Sequence, residues 1–345
     1  MSINPASCPL EALPAESALA PQATEEANAL AQAQNIIRTA MQIEPVSLEK
    51  QFLSQSGNTV FRVDLPGART VVLRMSPSRG TFAYTAHNLN VLRELGVPVQ
   101  SVLASGGAVS GGESGREPGR EPGGSYVVMN WLPGRDLAFE LPSMQAAQAV
   151  ALANSVANCQ QRVAALPRGQ GFGWAPIGRP ALGKSWSDMF GRPVDEPLDE
   201  PPTPLNLLRS RLRGLRRDLE PYFQAVQPTC FLDDVTTKNV IVEGDQLSGL
   251  IDLDFACYGD PLLAVGNTLA QLAMQDNEAA RAYGVTLVDR WKPQGEARRA
   301  MHFYSALWLT TAIVAADTHG DTARANALGP IVHAILDAAA ACAAA

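Results

Sequence analysis

The chain has 345 residues, 46% of them hydrophobic, with 27 Lys and Arg against 34 Asp and Glu and a formal charge of -7. A chain this long and this apolar is neither a mini-protein nor a disordered tail, and two packed lobes with a substantial core are expected. The acidic balance, with no long basic stripe, speaks against a surface that binds nucleic acid by neutralising phosphates. Five scattered cysteines without a Cys-x-x-Cys pair oppose a disulfide framework or a structural zinc site, which fits a reducing compartment.

In chain order, residues 1–34 are rich in Ala, Pro, Gln and Glu and read as a poorly ordered extension. Four Glu precede the first basic residue, Arg38, so the charged start of a secretory signal is not expected. Apolar runs such as Ala306 to Ala316 are too short to span a bilayer. The expectation is a cytoplasmic protein that contacts no membrane. Two β-branched runs, Thr59 to Leu65 and Thr70 to Met75, flank Pro66-Gly67 and predict a hairpin. A helix follows near Phe82 to Leu95, stopped by Gly96 and Pro98, then a strand at Val99 to Ala104.

Residues 106–124 hold the tandem repeat Gly-Arg-Glu-Pro at 115–118 and 119–122, which cannot pack a core and reads as a flexible exposed loop. Strand character resumes at Ser125 to Met129 and breaks at Pro133-Gly134. Beyond about Ser143 the pattern is mainly helical, interrupted by a strand pair at Asn239 to Val242 and Gly249 to Leu253. Asp195 to Pro202 reads as a solvated acidic loop that tilts mildly toward a cationic ligand. Leu208, Leu212, Leu215 and Leu219 follow helical spacing and leave five arginines of 209–217 on the wet face. The fold class expected is α+β, with an extension at 1–34, a lobe at 35–130 and a helical lobe at 131–345.

The most informative stretch runs Phe231-Leu-Asp-Asp-Val-Thr-Thr-Lys-Asn-Val-Ile-Val, followed by Leu250-Ile-Asp-Leu-Asp-Phe-Ala-Cys-Tyr-Gly-Asp-Pro. Phosphoryl transfer needs one carboxylate to orient a hydroxyl and accept its proton. It also needs an amide oxygen and a second carboxylate to hold magnesium against nucleotide phosphates. Asp234, Asn239 and Asp252 can supply these, and a hairpin of this length returns Asp252 toward Asn239. Asp233 and Asp234 also suit a turn or a helix N-cap before Thr236 and Thr237. Asp252, in so apolar a strand, must pair, protonate or bind metal. Asp260 before Pro261 reads as a turn or cap. The four histidines show no metal-ligand spacing, and Asp317, His319 and Asp321 remain open as acceptor contacts.

These residues resemble the aminoglycoside phosphotransferases and related small-molecule kinases with the protein-kinase-like two-lobed fold, in which a small antiparallel-sheet N-lobe precedes a mostly helical C-lobe. Asp234 and Asn239 match the family's His-Gly-Asp-x-x-x-x-Asn loop, and Asp252 with Tyr258-Gly-Asp-Pro261 matches its Ile-Asp and aromatic-Gly-Asp-Pro segments. Val71-Val-Leu-Arg74, Gly96-Val-Pro-Val, Val127 to Gly134 and Gly171-Phe-Gly-Trp174 extend the likeness over about residues 45 to 320. The resemblance implies ATP and Mg2+ as cofactors, with Asn239 and Asp252 on the metal and Asp234 as catalytic base. It implies phosphate contacts from Arg74 and from Ser56 and Asn58 in the covering segment, and adenine contacts at Met129, Asn130 and Leu132. The acceptor implied is the hydroxyl of a small polar molecule, such as an antibiotic of the aminoglycoside type. Three departures stand out: Leu232-Asp233 replaces His-Gly, the helix acid expected opposite Arg74 falls at Asn88, and Leu53 to Thr59 holds a single Gly. They support an alternative, a degenerate member that binds nucleotide or ligand without phosphoryl transfer. No sequence feature sets an oligomeric state.

Overall fold

The computed structural model describes residues 19–51, 57–107, 124–191 and 203–342. Ser56, the Gly-Arg-Glu-Pro repeat and the acidic loop at 195–202 lie outside them. The chain divides into two compact units, one comprising residues 4–90 and 100–132, the other 91–99 and 133–345.

The first unit is a five-stranded antiparallel sheet ordered β1-β2-β3-β5-β4, built from β1 (Ser47–Lys50), β2 (Thr59–Leu65), β3 (Arg69–Ser76), β4 (Val102–Gly107) and β5 (Ser125–Asn130). The β2–β3 hairpin turns at Pro66-Gly67, where Gly67 has φ +79°, a backbone region that favours glycine. Alternation along β2 buries Phe61, Val63 and Leu65 on one face. Helix α1 (Leu19–Met41) places Ala33, Ile36 and Ile37 in the same cluster as Phe61, Val71, Leu73 and Val128. Helical structure therefore begins inside the segment that composition reads as an extension. Its three buried side chains fall at i, i+3 and i+4, the spacing that makes an apolar stripe.

Helix α2 (Thr85–Glu94) ends where Gly96 adopts φ +71°, with Gly96 N–H bonded to the Arg93 carbonyl and Val97 N–H to that of Leu92. This is a left-handed glycine cap that satisfies the last carbonyls.

The second unit is mainly helical, with two small antiparallel sheets ordered β10-β9-β6 and β7-β11-β8. Their strands are β6 (Arg135–Asp136), β7 (Gly173–Ala175), β8 (Thr229–Phe231), β9 (Val240–Glu243), β10 (Gln246–Leu250) and β11 (Ala256–Gly259). Gly134 enters β6 with φ +106°, and a Cβ there would lie 2.0 Å from the Val242 carbonyl oxygen, so only glycine fits. Helices α3 (Leu137–Glu140) and α4 (Ala146–Ala164) are followed by helices at Pro204–Asp218, Glu220–Ala225, Leu262–Leu272, Glu278–Trp291, Gly295–Thr318 and Thr322–Ala341. Leu208, Leu212, Leu215 and Leu219 are buried as their spacing predicts. Asp321 caps the last helix by accepting the Arg324 N–H, and the His319 ring meets the Ala315 carbonyl. Among the described residues no helix is long and apolar enough to cross a membrane.

Candidate active site

Asp234 sits in a turn between β8 and β9, and no helix follows it, so it is not an N-cap. Asn239 closes that turn: its Nδ2 donates to the Asp234 carbonyl at 2.8 Å and to Asp234 Oδ2 at 2.9 Å, while Thr236 Oγ1 donates to Oδ1 at 3.3 Å. Five residues are the separation needed for the amide to fold back on the acid. With Nδ2 committed to Asp234, the amide turns Oδ1 away from that carboxylate.

The β9–β10 hairpin turns through Gly244-Asp245, with Gly244 at φ +64°. Ile251 N–H then bonds the Asn239 carbonyl at 3.0 Å, which brings the next residue, Asp252, close to the Asn239 turn.

Asp252 corrects the expectation of a carboxylate within an apolar strand. The strand ends at Leu250, Asp252 is exposed, and its φ is +61°. The left-handed region is uncommon for a side-chain-bearing residue, and Asp is among those that tolerate it. One left-handed residue ends the extended run and swings the carboxylate out of the apolar layer. Burial therefore does not compel Asp252 to pair; its backbone conformation is what marks it as special.

Electrostatics single out the two acids of the turn. Burial, then the neighbouring charges of Asp233 and Asp252, pushes Asp234 up to about 7. Burial also raises Asp233 to about 6, against the hydrogen bond from Trp174 Nε1 to Asp233 Oδ2 at 2.5 Å. An acid near neutrality is suited to taking up a proton at working pH.

The turn is braced from beneath. Gln160 on α4 meets both backbone groups of Leu232, donating from Nε2 to its carbonyl at 2.6 Å and accepting its N–H at Oε1 at 3.0 Å. Thr268 Oγ1 donates to the Val235 carbonyl at 3.3 Å, and Thr237 Oγ1 to Gln271 Oε1 at 3.1 Å. Sequence reasoning assigned no role to Gln160, Thr268 or Gln271. The signal for Gln160 was present, because it occupies a stripe position among Ala149, Leu152, Ala153, Val156 and Val163, where an apolar side chain is expected.

Asp260 proves to be structural. Its Oδ1 accepts the Leu262 N–H at 3.0 Å, and its Oδ2 accepts the hydroxyls of Tyr222 at 2.8 Å and Tyr304 at 2.9 Å. A Cβ on the preceding Gly259 would lie 2.1 Å from the Trp186 ring, which explains glycine in Tyr258-Gly-Asp-Pro.

In the first unit, Arg74 lies on β3 with its guanidinium 5.1 Å from the centre of the Phe82 ring. Asn58 and Asn88 are buried. Met129 and Asn130 belong to β5, and Asn130 is already committed within the sheet. Its N–H bonds the Ser101 carbonyl at 3.1 Å, its own carbonyl accepts Gln100 Nε2 at 3.0 Å, and its Oδ1 accepts the Ser101 N–H at 2.5 Å. Leu132 follows, beyond the last ladder pair of β5.

The structure thus brings Asp234, Asn239 and Asp252 together in one unit and places Arg74, Asn58, Met129, Asn130 and Leu132 in the other.

No curated protein matches the chain in sequence. Among solved structures, a thermostable mutant of aminoglycoside phosphotransferase APH(4)-Ia in its apo form is similar with a TM-score of 0.67 at 16% identity, covering 88% of this chain and 98% of that one. A ternary complex of that enzyme with ADP and hygromycin B gives 0.65 at 16% identity, over 88% and 97%. ADP-bound aminoglycoside phosphotransferase APH(2'')-Ib gives 0.55 at 14% identity, over 87% and 96%. Likeness at these identities establishes the kinase-like fold of the aminoglycoside phosphotransferases. The model of the phosphotransferase enzyme family matches residues 49–304, most of the chain, and the protein belongs to that family.

Proposed function

We propose that the protein transfers the γ-phosphate of ATP to a hydroxyl of a small polar molecule. The observation that carries this reading is the closed turn in which Asn239 fixes both the carboxylate and the carbonyl of Asp234 while Ile251 ties Asp252 alongside. Asp234 orients the acceptor hydroxyl and takes its proton, a role suited to a carboxylate raised toward neutrality. Asn239 holds Asp234 Oδ2 in one direction, so little reorganisation is needed when the hydroxyl arrives.

Asn239 and Asp252 suit magnesium because both present hard oxygen donors, and two side chains leave room for the phosphate oxygens and waters that such a cation keeps. Bound there, magnesium would neutralise charge developing on the phosphates. Arg74 is assigned to the phosphates, where a planar guanidinium reads two oxygens together, with Asn58 and Ser56 in the same role. Adenine contacts are assigned to the chain at Met129, Asn130 and Leu132. Because Asn130 is committed within the sheet, Leu132 carries most of that assignment.

An aminoglycoside-type antibiotic is the acceptor class to test first, since relatives of this fold bind hygromycin B beside nucleotide. The experiment is transfer of labelled γ-phosphate from ATP to a panel of small alcohols that includes hygromycin B. The parent should label at least one acceptor, and Asp234→Asn should lower the rate by about 10² or more while still binding ATP. ATP binding without transfer to any acceptor or to water would favour the degenerate reading.

A further inference from the structure

Catalytic-loop geometry must be set by something other than the His-Gly pair that this chain lacks, and two contacts supply it. Gln160 is 6% exposed and spends its whole amide on Leu232, one end on the N–H and the other on the carbonyl. Leu232 directly follows β8, so the side-chain amide adds one residue to the pairing where the β8–β11 ladder ends at Phe231. Trp174 fixes the next residue. In the three-stranded sheet Cys257 of β11 stands opposite both Trp174 of β7 and Phe231 of β8, and the indole Nε1 reaches Asp233 Oδ2 at 2.5 Å. The two residues immediately before Asp234 are thereby anchored, one through its backbone and one through its side chain.

Stability alone does not account for this arrangement. The Gln160 amide is tolerated at a buried stripe position only because both its ends are bonded to Leu232. A second desolvated acid next to Asp234 repels it, which costs rather than contributes. Local choices that oppose stability mark places where position matters.

We propose that Gln160 and Trp174 are positioning residues for Asp234, holding Leu232 and Asp233 so that the Asp234 carboxylate faces the acceptor. The proposal rests on the phosphotransferase reading and names what orients its base.

The test uses the full chain and follows phosphate release from MgATP with water as acceptor, comparing the parent with Gln160→Leu, Trp174→Phe, Asp233→Gly and the double variant Trp174→Phe with Asp233→Gly. Gln160→Leu and Trp174→Phe should each lower kcat about tenfold or more, the scale of sub-ångström misplacement, while KM for MgATP stays within about twofold. Trp174→Phe should have no further effect once Asp233→Gly has removed its acceptor. Unchanged kcat in both single variants overturns the proposal, and so does an equal Trp174→Phe loss in the parent and Asp233→Gly backgrounds. If Gln160→Leu does not fold, Trp174→Phe decides alone, because Trp174 is only half-buried and Phe keeps an aromatic ring there. A parent that transfers phosphate neither to water nor to any small alcohol, or turnover that survives Asp234→Asn, refutes the phosphotransferase reading itself. Turnover that depends on Asp234 but not on Gln160 or Trp174 refutes only the positioning proposal.

Discussion

Replacing Asp260 perturbs a buried polar network of the helical unit. Its carboxylate is 5% exposed and takes three hydrogen bonds, from Leu262 N–H and from the hydroxyls of Tyr222 and Tyr304. Tyr304 is fully buried and its oxygen also accepts Trp186 Nε1 at 2.7 Å. Asp260→Ala would leave the Tyr222 and Tyr304 hydroxyls and the Leu262 amide without their acceptor. Each orphaned donor costs about 1–3 kcal/mol, partly offset by removing a desolvated charge, so the net loss should be about 3 kcal/mol. For a unit of this size that corresponds to a fall in Tm of about 6–12 °C by circular dichroism.

Asp260→Asn keeps an acceptor for Leu262 and should lose less. Its deficit should also depend on pH. Burial raises the Asp260 pKa in the folded state, so the parent loses stability as pH climbs from the unfolded carboxylate range through the folded value, and Asn does not titrate. The Tm gap between parent and Asp260→Asn should therefore narrow as pH rises above the ordinary carboxylate range. An Asp260→Ala protein that melts with the parent would refute the reasoning, as would a gap that widens with pH. The network matters to the candidate site because Asp260 starts the helix Leu262–Leu272, which presents Thr268 and Gln271 to the turn that holds Asp234.

Asp252→Ala should abolish the magnesium-dependent part of ATP affinity, measured by calorimetry with and without magnesium, and equal ATP affinity of parent and variant with magnesium present would remove Asp252 from the metal site. Because residue 252 is left-handed, Asp252→Gly should be more stable than Asp252→Ala by about 1 kcal/mol in urea titrations; the reverse order would contradict the backbone reading. With magnesium chelated, Asp234→Asn should raise Tm more at pH 8 than at pH 5, because the parent carboxyl, raised to about 7, must be held charged at the higher pH; a pH-independent difference would show that Asp234 is not desolvated. Asn88→Glu should lower Tm, since residue 88 has no exposure and a buried acid is costly even beside a guanidinium; an unchanged Tm would mean that the acid finds a ready partner.

Much of the architecture is legible in the sequence because its signals are local. The hairpin at 59–76 announces itself by β-branched runs around Pro66-Gly67, and α2 by the Gly96 stop. The turn from Asp234 to Asn239 is legible for a different reason: Asp, Asn and Asp at fixed separations across a short hairpin leave few ways for the chain to run.

What sequence left hidden is set by long-range packing or by single dihedral angles. Composition places residues 1–34 outside the core, yet α1 starts at Leu19 because the sheet offers an apolar face for Ala33, Ile36 and Ile37. The strand through Asp252 looks continuous because Leu250, Ile251 and Leu253 are apolar, and one left-handed residue ends it. Gln160 and Leu232 are 72 positions apart, so no window of sequence shows that the amide of one meets the backbone of the other.

The most direct test of the central claim is single-turnover transfer of labelled γ-phosphate from ATP in the presence of magnesium and hygromycin B, or whichever small alcohol the panel identifies, by the parent and by Asp234→Asn. The account predicts labelled acceptor with the parent and a rate reduced by about 10² or more in the variant, with ATP affinity preserved. Equal transfer by both proteins would contradict it.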